Sequence, residues 1–234
     1  MFSGVLSKFS SRNGNGAILS MNIKKFIKKH FAFLVRIIGS ISSKRATKPI
    51  YPRSTGAGLK VHLGAGPINL QGWVNIDARN ASHIHLQSSG FDLNEFSDGA
   101  LTEIYMCHVL EHFSFEETAA VIKIMQRKLK VGGVLRLSVP DFDKLVEIYQ
   151  ASGNNLELIK MALMGGQDYE YNFHKAVFNK KLLSDLLLCS GFNHVETWVT
   201  EVDFGVDLGD WSNKGFNTPS GNILVSLNIK AMKA

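Results

Sequence analysis

LKVHLGAGPINLQGWVNID, residues 59–77, is the stretch on which the fold turns. Its opening LKVHL reads as a short buried strand, broken by Gly64 and Gly66. Glycines there let the backbone turn tightly and approach a ligand where a Cβ would collide. WVNID, 73–77, reads as a second strand ending in Asp77, thirteen residues after Gly64. An acid at that place can accept both hydroxyl hydrogens of a ribose. A dinucleotide-binding unit needs a third glycine and an acid about 20 residues on. Here Pro67, Ile68 and Asn69 follow the second glycine. The short connection leaves little helix to cradle a pyrophosphate, which favours a nucleoside-type ligand without phosphates. Taken singly, the glycines also fit an ordinary strand-to-helix turn, and Asp77 a loop cap.

The rhythm of strand, turn and helix continues downstream. HIHL (83–86) and LTEIYMC (101–107) read as third and fourth strands. Ser114 and Glu117 form the S-x-x-E pattern of a capping box, so a helix starts there. Phe115, Ala119, Ile122, Met125 and Leu129 keep helical spacing until Gly132-Gly133 stops it. VLRLSVP (134–140) is a fifth strand, and helices are predicted over 142–151, 155–164 and 180–190. HVETWVT (194–200) and NILVSLNIKA (222–231) read as two closing strands of the body. Strands alternating with helices imply an α/β fold, a doubly wound and mostly parallel sheet. The last two strands have no helix between them, which predicts an antiparallel C-terminal pair at one edge.

HVLEHF, 108–113, follows the fourth strand and contains H-x-x-E-H, an inverted zinc-peptidase spacing. Such a site needs both histidines on one helical face and a third ligand. The strand ends near Cys107 and the next helix starts at its Ser114 cap, so these residues form a loop. No metal is expected. Ligands bind at the C-terminal edge of an open α/β sheet, which makes 108–113 a ligand loop.

Charge is split along the chain. Of 26 Lys and Arg, 12 fall within 1–76, which holds no Asp or Glu, and 77–234 carries 14 against 20 acids. The basic character belongs to the arm, so no nucleic acid is expected as a partner of the globular part. With 234 residues and 45% apolar side chains, the chain can bury one good-sized core. Cys107 and Cys189 sit in apolar runs, which suits a reducing compartment rather than a disulfide framework. No run of 18 apolar residues exists to span a membrane. The localisation expected is cytoplasmic, with peripheral contact at the inner face of the membrane.

Residues 1–20, rich in Ser, Gly and Asn, read as disordered. In 21–41, Ile23, Phe26, Ile27, Phe31, Phe33, Leu34, Ile37 and Ile38 share one helical arc, and Lys24, Lys25, Lys28, Lys29 and Arg36 the opposite one. A basic amphipathic helix of this kind can lie on an anionic membrane surface. It can equally pack on the body or on a partner, and an organelle transit peptide is a third reading. Residues 42–58 read as a linker and 59–234 as the globular domain.

HLGAGPINLQGWVNID, FDLNEF, IYMCHVLEHFSFEE and LKVGGVLRLSVPDF, in that order, resemble a small class I S-adenosylmethionine-dependent methyltransferase. The set is similar to bacterial methyltransferase-domain proteins associated with surface-polysaccharide genes. The resemblance implies S-adenosyl-L-methionine as cofactor, with Leu63, Gly64, Ala65 and Gly66 along its methionine moiety and Asp77 on its ribose. It also implies Asp92 and Leu93 beside the adenine, and His108 at the start of the loop that floors the pocket. One position departs from the pattern. The acid that such enzymes carry two residues before the first motif glycine is His62 here. Either water or another acid holds the amino group of the cofactor, or cofactor affinity is weak.

Attack on a sulfonium methyl displaces a good neutral leaving group, so positioning dominates and no covalent nucleophile is needed. For a hydroxyl acceptor, a base contributes about 10²–10⁴-fold. Candidates at the ligand edge are Glu111 and His112 after the fourth strand, and Asp141 after the fifth. His174 lies in GGQDYEYNFHKAVF (165–178), an aromatic loop that can form a lid. Each also has a structural role open to it: Asp141 as a helix N-cap, Glu111 as an orienter of His112, His174 as a packed surface residue. The acceptor class expected is a glycan, a lipid-linked sugar or a small metabolite. The rival readings are a methyltransferase-fold binding module without catalysis and, less favoured, a nicotinamide-dependent oxidoreductase.

Overall fold

The computed structural model describes residues 51–52 and 58–234. The expectations for 1–20 and 21–41, and for most of the 42–58 linker, lie outside the described residues. The strands are β1 (Leu59–Leu63), β2 (Val74–Asp77), β3 (Leu86–Gln87), β4 (Leu101–Cys107), β5 (Leu129–Pro140), β6 (Phe192–Thr197), β7 (Gly215–Thr218), β8 (Gly221–Leu224) and β9 (Ser226–Lys233). Seven of them form one sheet in the order β3-β2-β1-β4-β5-β9-β6, and β7 and β8 form a separate hairpin. Pairing is parallel from β3 to β5, and β9 runs antiparallel to both β5 and β6. The sheet winds outward in both directions from β1 and β4. This is a Rossmann-like, doubly wound architecture with the expected antiparallel pair at one edge.

The sheet centre is apolar because its strands are covered on both faces. Val74, Val61, Ile104 and Leu135 stand in register across β2, β1, β4 and β5, and all four are fully buried. The helices are α1 (Phe115–Lys128), α2 (Phe142–Ala151), α3 (Leu156–Met164), α4 (Lys180–Cys189) and α5 (Thr200–Phe204). The capping box of α1 is formed: the Glu117 amide donates to Ser114 Oγ, and the Ser114 amide donates to the Glu117 carboxylate at 2.8 Å. Val121, Ile122 and Met125 turn inward from α1, whereas Phe115, at the start of the apolar spacing, is exposed.

Several elements differ from the sequence reading. NILVSLNIKA is not one strand, because Val225 leaves the ladder: its amide donates to Lys214 O and its carbonyl accepts from the Asp141 amide. Its side chain is buried with Leu145, Ile148 and Ile159 of α2 and α3. A short helix, α5, also intervenes between β6 and β9. Trp198 is buried with Leu70, Trp73 and Tyr105, and Phe204 packs on the same cluster. Arg136 of β5 reaches Glu103 of β4 and Asp203 of α5, both at 2.6 Å, and Lys230 of β9 meets Asp203 at 2.8 Å. These ties fix α5 and launch the 205–214 loop toward the edge where the strand order reverses. HIHL is strand only at its last residue, because His85 Nδ1 accepts the Asn75 amide at 3.0 Å and His83 Nε2 lies 2.9 Å from Gly66 O.

Candidate functional site

A cavity of about 430 Å³ opens beyond the C-terminal ends of β1 and β4. This is the switch point where open α/β sheets bind ligands, and the volume falls in the range of small-molecule sites. The turn after β1 supplies one wall, Gly64 to Ile68. His108 and His112 supply another, and the segment from Gly165 to His174 covers a third. Asp210 and Trp211 arrive from the loop after α5.

The glycine turn is held from behind. The amides of Gly64 and Ala65 both donate to Ile76 O, at 2.8 and 2.9 Å. Gly64 has φ +71, and a Cβ there would lie 2.3 Å from Val109 Cγ2. The Gly66 amide donates to Asp77 Oδ2 at 2.7 Å. Asp77 Oδ1 accepts from the amide and Nε of Arg79, at 2.8 and 3.2 Å. The Arg79 guanidinium then lies over the Tyr169 ring, 5.7 Å from its centroid. No helix intervenes between β1 and β2 among the described residues. The turn therefore offers backbone and carboxylate without a helix N-terminus.

His62 is buried, stacks on Tyr105 with centroids 5.2 Å apart, and places Nδ1 3.2 Å from Asn75 Oδ1. Burial lowers its pKa to about 4, against the opposing pull of Asn75, Asp210 and Asp77. A neutral imidazole cannot bring a negative charge to an ammonium group. A carboxylate on the same cavity can: Asp210 is buried, with Oδ2 accepting from the Tyr105 hydroxyl at 2.6 Å. Its Oδ1 accepts from the Ser212 amide and hydroxyl, at 2.9 and 2.6 Å. Asp210 belongs to no motif and was missed, as were Trp211, Arg79 and Tyr169; only the aromatic content of 165–178 hinted at the last.

At the other end, one acid meets three histidines. His108 has φ +53, a left-handed conformation uncommon outside glycine, and its amide donates to Ser138 O at 2.8 Å. Its Nε2 lies 2.8 Å from Ser226 Oγ, whose own proton goes to Trp211 O at 2.7 Å. His108 is therefore the donor through Nε2, and its Nδ1 lone pair faces Glu111 Oε1 at 3.4 Å. His174 directs Nδ1 to Ala162 O at 3.0 Å and leaves Nε2 3.8 Å from the same Oε1. His112 directs Nδ1 to Phe173 O at 3.3 Å, and its ring centroid lies 4.9 Å from that of His174. Glu111 is 1% exposed, and neither carboxylate oxygen has a hydrogen-bond partner among the described residues.

Burial raises Glu111 to about 8. Burial, followed by the charges of the other histidines, lowers His108 to about 3 and His174 to about 4. The Glu111 carbonyl accepts the amides of Lys175 and Ala176, which docks the 165–178 segment on the ligand loop.

Of the candidates read from sequence, Gly64, Ala65, Gly66, His108, His112 and His174 line the cavity. Glu111 stands against the histidines without joining the wall. Leu63 is buried in β1, Asp77 is bonded to the Gly66 amide beside the cavity lining without joining it, and Asp92 accepts from Asn94 Nδ2 at 2.6 Å. Leu93 is buried with φ 48. Asp141 caps α2, accepting the Asp143 amide at 3.1 Å.

No protein-family description matches the chain, and no curated protein matches it. Solved structures resemble it in fold. An S-adenosylmethionine-dependent methyltransferase from Archaeoglobus fulgidus is 14% identical, with a TM-score of 0.47 over 78% of this chain and 89% of that one. One from Thermotoga maritima, described as a possible histamine N-methyltransferase, is 16% identical with a TM-score of 0.46, over 90% and 97%. A possible exported protein from Bordetella parapertussis is 11% identical with a TM-score of 0.48, over 80% and 63%. At these levels the functional reading rests on the geometry of the site itself.

Proposed function

We propose that this chain is a methyltransferase that uses S-adenosyl-L-methionine, acting on a hydroxyl or amine of a glycan, lipid-linked sugar or small metabolite. The observation that carries this is the charge pattern at the glycine turn. Asp77 is bonded to Gly66 and Asp210 stands on the cavity wall, with no helix N-terminus between β1 and β2. Two carboxylates suit a ligand that brings a diol and an ammonium, and they repel a phosphate.

When bound, the cofactor supplies a sulfonium methyl open to in-line displacement. The remaining lone pairs of Asp77 accept the ribose hydroxyls, and Asp210 offers the amino group the negative charge that neutral His62 lacks. Gly64 and Gly66 allow the backbone to approach the methionine portion. The adenine edge falls to Asp92 and Leu93 on the resemblance alone. The acceptor enters beneath the 165–178 segment, toward His112 and His174.

No described helix is long and apolar enough to cross a membrane. The basic helix read in 21–41 would hold the enzyme near a membrane-bound acceptor. Liposome flotation of the intact chain against a truncated chain beginning at Leu59 tests that role, and equal flotation removes it. The function itself is tested by calorimetry with S-adenosylhomocysteine and then NAD, followed by a screen of isotope-labelled methyl donor against cell-envelope extracts. Binding of NAD without binding of the homocysteine product would overturn the proposal.

A further inference from the structure

We propose that Glu111, His112 and His174 form a divalent-metal site at the acceptor end of the cavity. The role given to the ion below rests on the methyltransferase reading; the site itself does not. One ligand atom from each of the three residues lies within 4.8 Å of the others. Two imidazoles and one carboxylate are a borderline donor set, suited to Zn²⁺ and its neighbours among divalent transition ions. Tetrahedral Zn²⁺ places ligand atoms about 3.3 Å apart, so the three groups must close by roughly an ångström or more.

The hydrogen bonds around the cluster prepare it for a cation. His112 and His174 each give Nδ1–H to a backbone carbonyl, of Phe173 and Ala162. That outer bond fixes the tautomer and leaves Nε2 as a lone-pair donor, the arrangement found behind metal-bound histidines. His108 is fixed the other way, through Ser226, so its Nδ1 also presents a lone pair to Glu111. The buried carboxylate thus faces three lone pairs and receives no donor among the described residues. A proton on Glu111 satisfies one of those nitrogens. A cation serves them together, and it offsets the cost of a buried, unpaired carboxylate.

His112 and His174 both line the cavity, so the open coordination position faces the acceptor. A hydroxyl bound there loses its proton to cavity water more readily, as metal-bound water does. Its oxygen forms the new O–CH₃ bond while the C–S bond breaks, and sulfur keeps the electron pair. The products are a methyl ether, S-adenosylhomocysteine and one proton. The acceptor class is thereby narrowed to an alcohol or sugar hydroxyl.

The test uses the full, untagged chain, stripped with chelator and dialysed. Co²⁺ is titrated while its visible absorption is followed, Zn²⁺ competition is measured, and S-adenosylhomocysteine calorimetry is run on the same samples. One ion per chain is expected, with affinity at least about tenfold weaker in His112→Ala and His174→Ala. The exposed control His194→Ala leaves it unchanged. Glu111→Gln should abolish uptake; should that variant fail to fold, the two histidine variants decide. Absence of saturation up to about millimolar ion, or uptake indifferent to the histidine variants, overturns the site. Calorimetry separates the two proposals, because homocysteine-product binding without ion uptake sinks the metal site alone. Ion uptake without product binding sinks the methyltransferase reading alone.

Discussion

The Tyr105 hydroxyl donates to Asp210 at 2.6 Å and joins β4 to a loop 105 residues further along. Burial first, and then the nearby Cys107 and Asp210, push the phenol pKa upward, so the tyrosine stays a donor. Tyr105→Phe keeps the aromatic packing with Trp73, Trp198 and Phe204 but strips one oxygen of Asp210 of its donor. The expected loss is about 1.5–3 kcal/mol in urea denaturation, the value of a hydrogen bond to a charged group. Asp210→Asn is expected to weaken S-adenosylhomocysteine binding about 10–100-fold. It should also erase the preference over an analogue lacking the amino group, and both effects are read by calorimetry.

Gly64→Ala places a methyl where Val109 already stands, on a backbone with φ +71. Strain and clash together should cost about 1–3 kcal/mol, read as a lower melting temperature. The same change pushes the ligand loop at Val109 off the cofactor turn. Binding of S-adenosylhomocysteine should fall more steeply than stability.

Asp77→Asn replaces acceptor capacity with a donor beside the amides of Gly66 and Arg79. Stability and cofactor affinity should both drop, each by about 1.5–3 kcal/mol. Arg79→Ala is the contrasting variant, because its side chain is 59% exposed. That change should shift stability by less than about 1 kcal/mol, the usual value of an exposed pair. Equal losses in the two variants would mean that Asp77 acts only as the partner of Arg79.

His62 supplies a pH dependence with a definite sign. Its folded pKa is depressed to about 4 by burial, below the usual value of about 6.5 in an unfolded chain. As pH falls through 6.5 the unfolded state takes up a proton that the folded state refuses until about 4. The stability contribution is full above pH 6.5 or so and is lost across the window down to 4. Between pH 7 and pH 5 this amounts to about 2 kcal/mol. Denaturation curves of His62→Gln should show a pH 7-to-5 difference smaller by that amount.

The fold was legible because its parts announce themselves locally. The glycine turn, the S-x-x-E cap of α1 and the apolar runs of β1, β4 and β5 each follow from adjacent residues. The errors lie where distant residues decide. Val225 breaks an apparently continuous strand because it packs against α2 and α3, whose distance in the sequence hides the contact. HVLEHF is the loop its sequence predicts, and the structure adds a short 3-10 turn at Leu110–His112. The sequence argues against a metal because HVLEHF offers no third ligand and no helical face shared by both histidines. His174, brought in by the Glu111 carbonyl, supplies the third group without one. Asp210 left no trace in the sequence, since its position depends on the Arg136–Asp203–Lys230 ties beneath α5.

The place of β9 has a kinetic consequence. Among the described residues, strand β6 pairs in the sheet with β9 alone, which enters between two strands that precede it in the chain. Such long-range pairing is slow to nucleate, so β6 spends the refolding reaction as an unmatched edge prone to self-association. Ser226, the first residue of β9, also fixes the His108 ring. Recovery of ligand binding after dilution from denaturant should therefore lag behind recovery of helical signal, and the lag times the arrival of that strand.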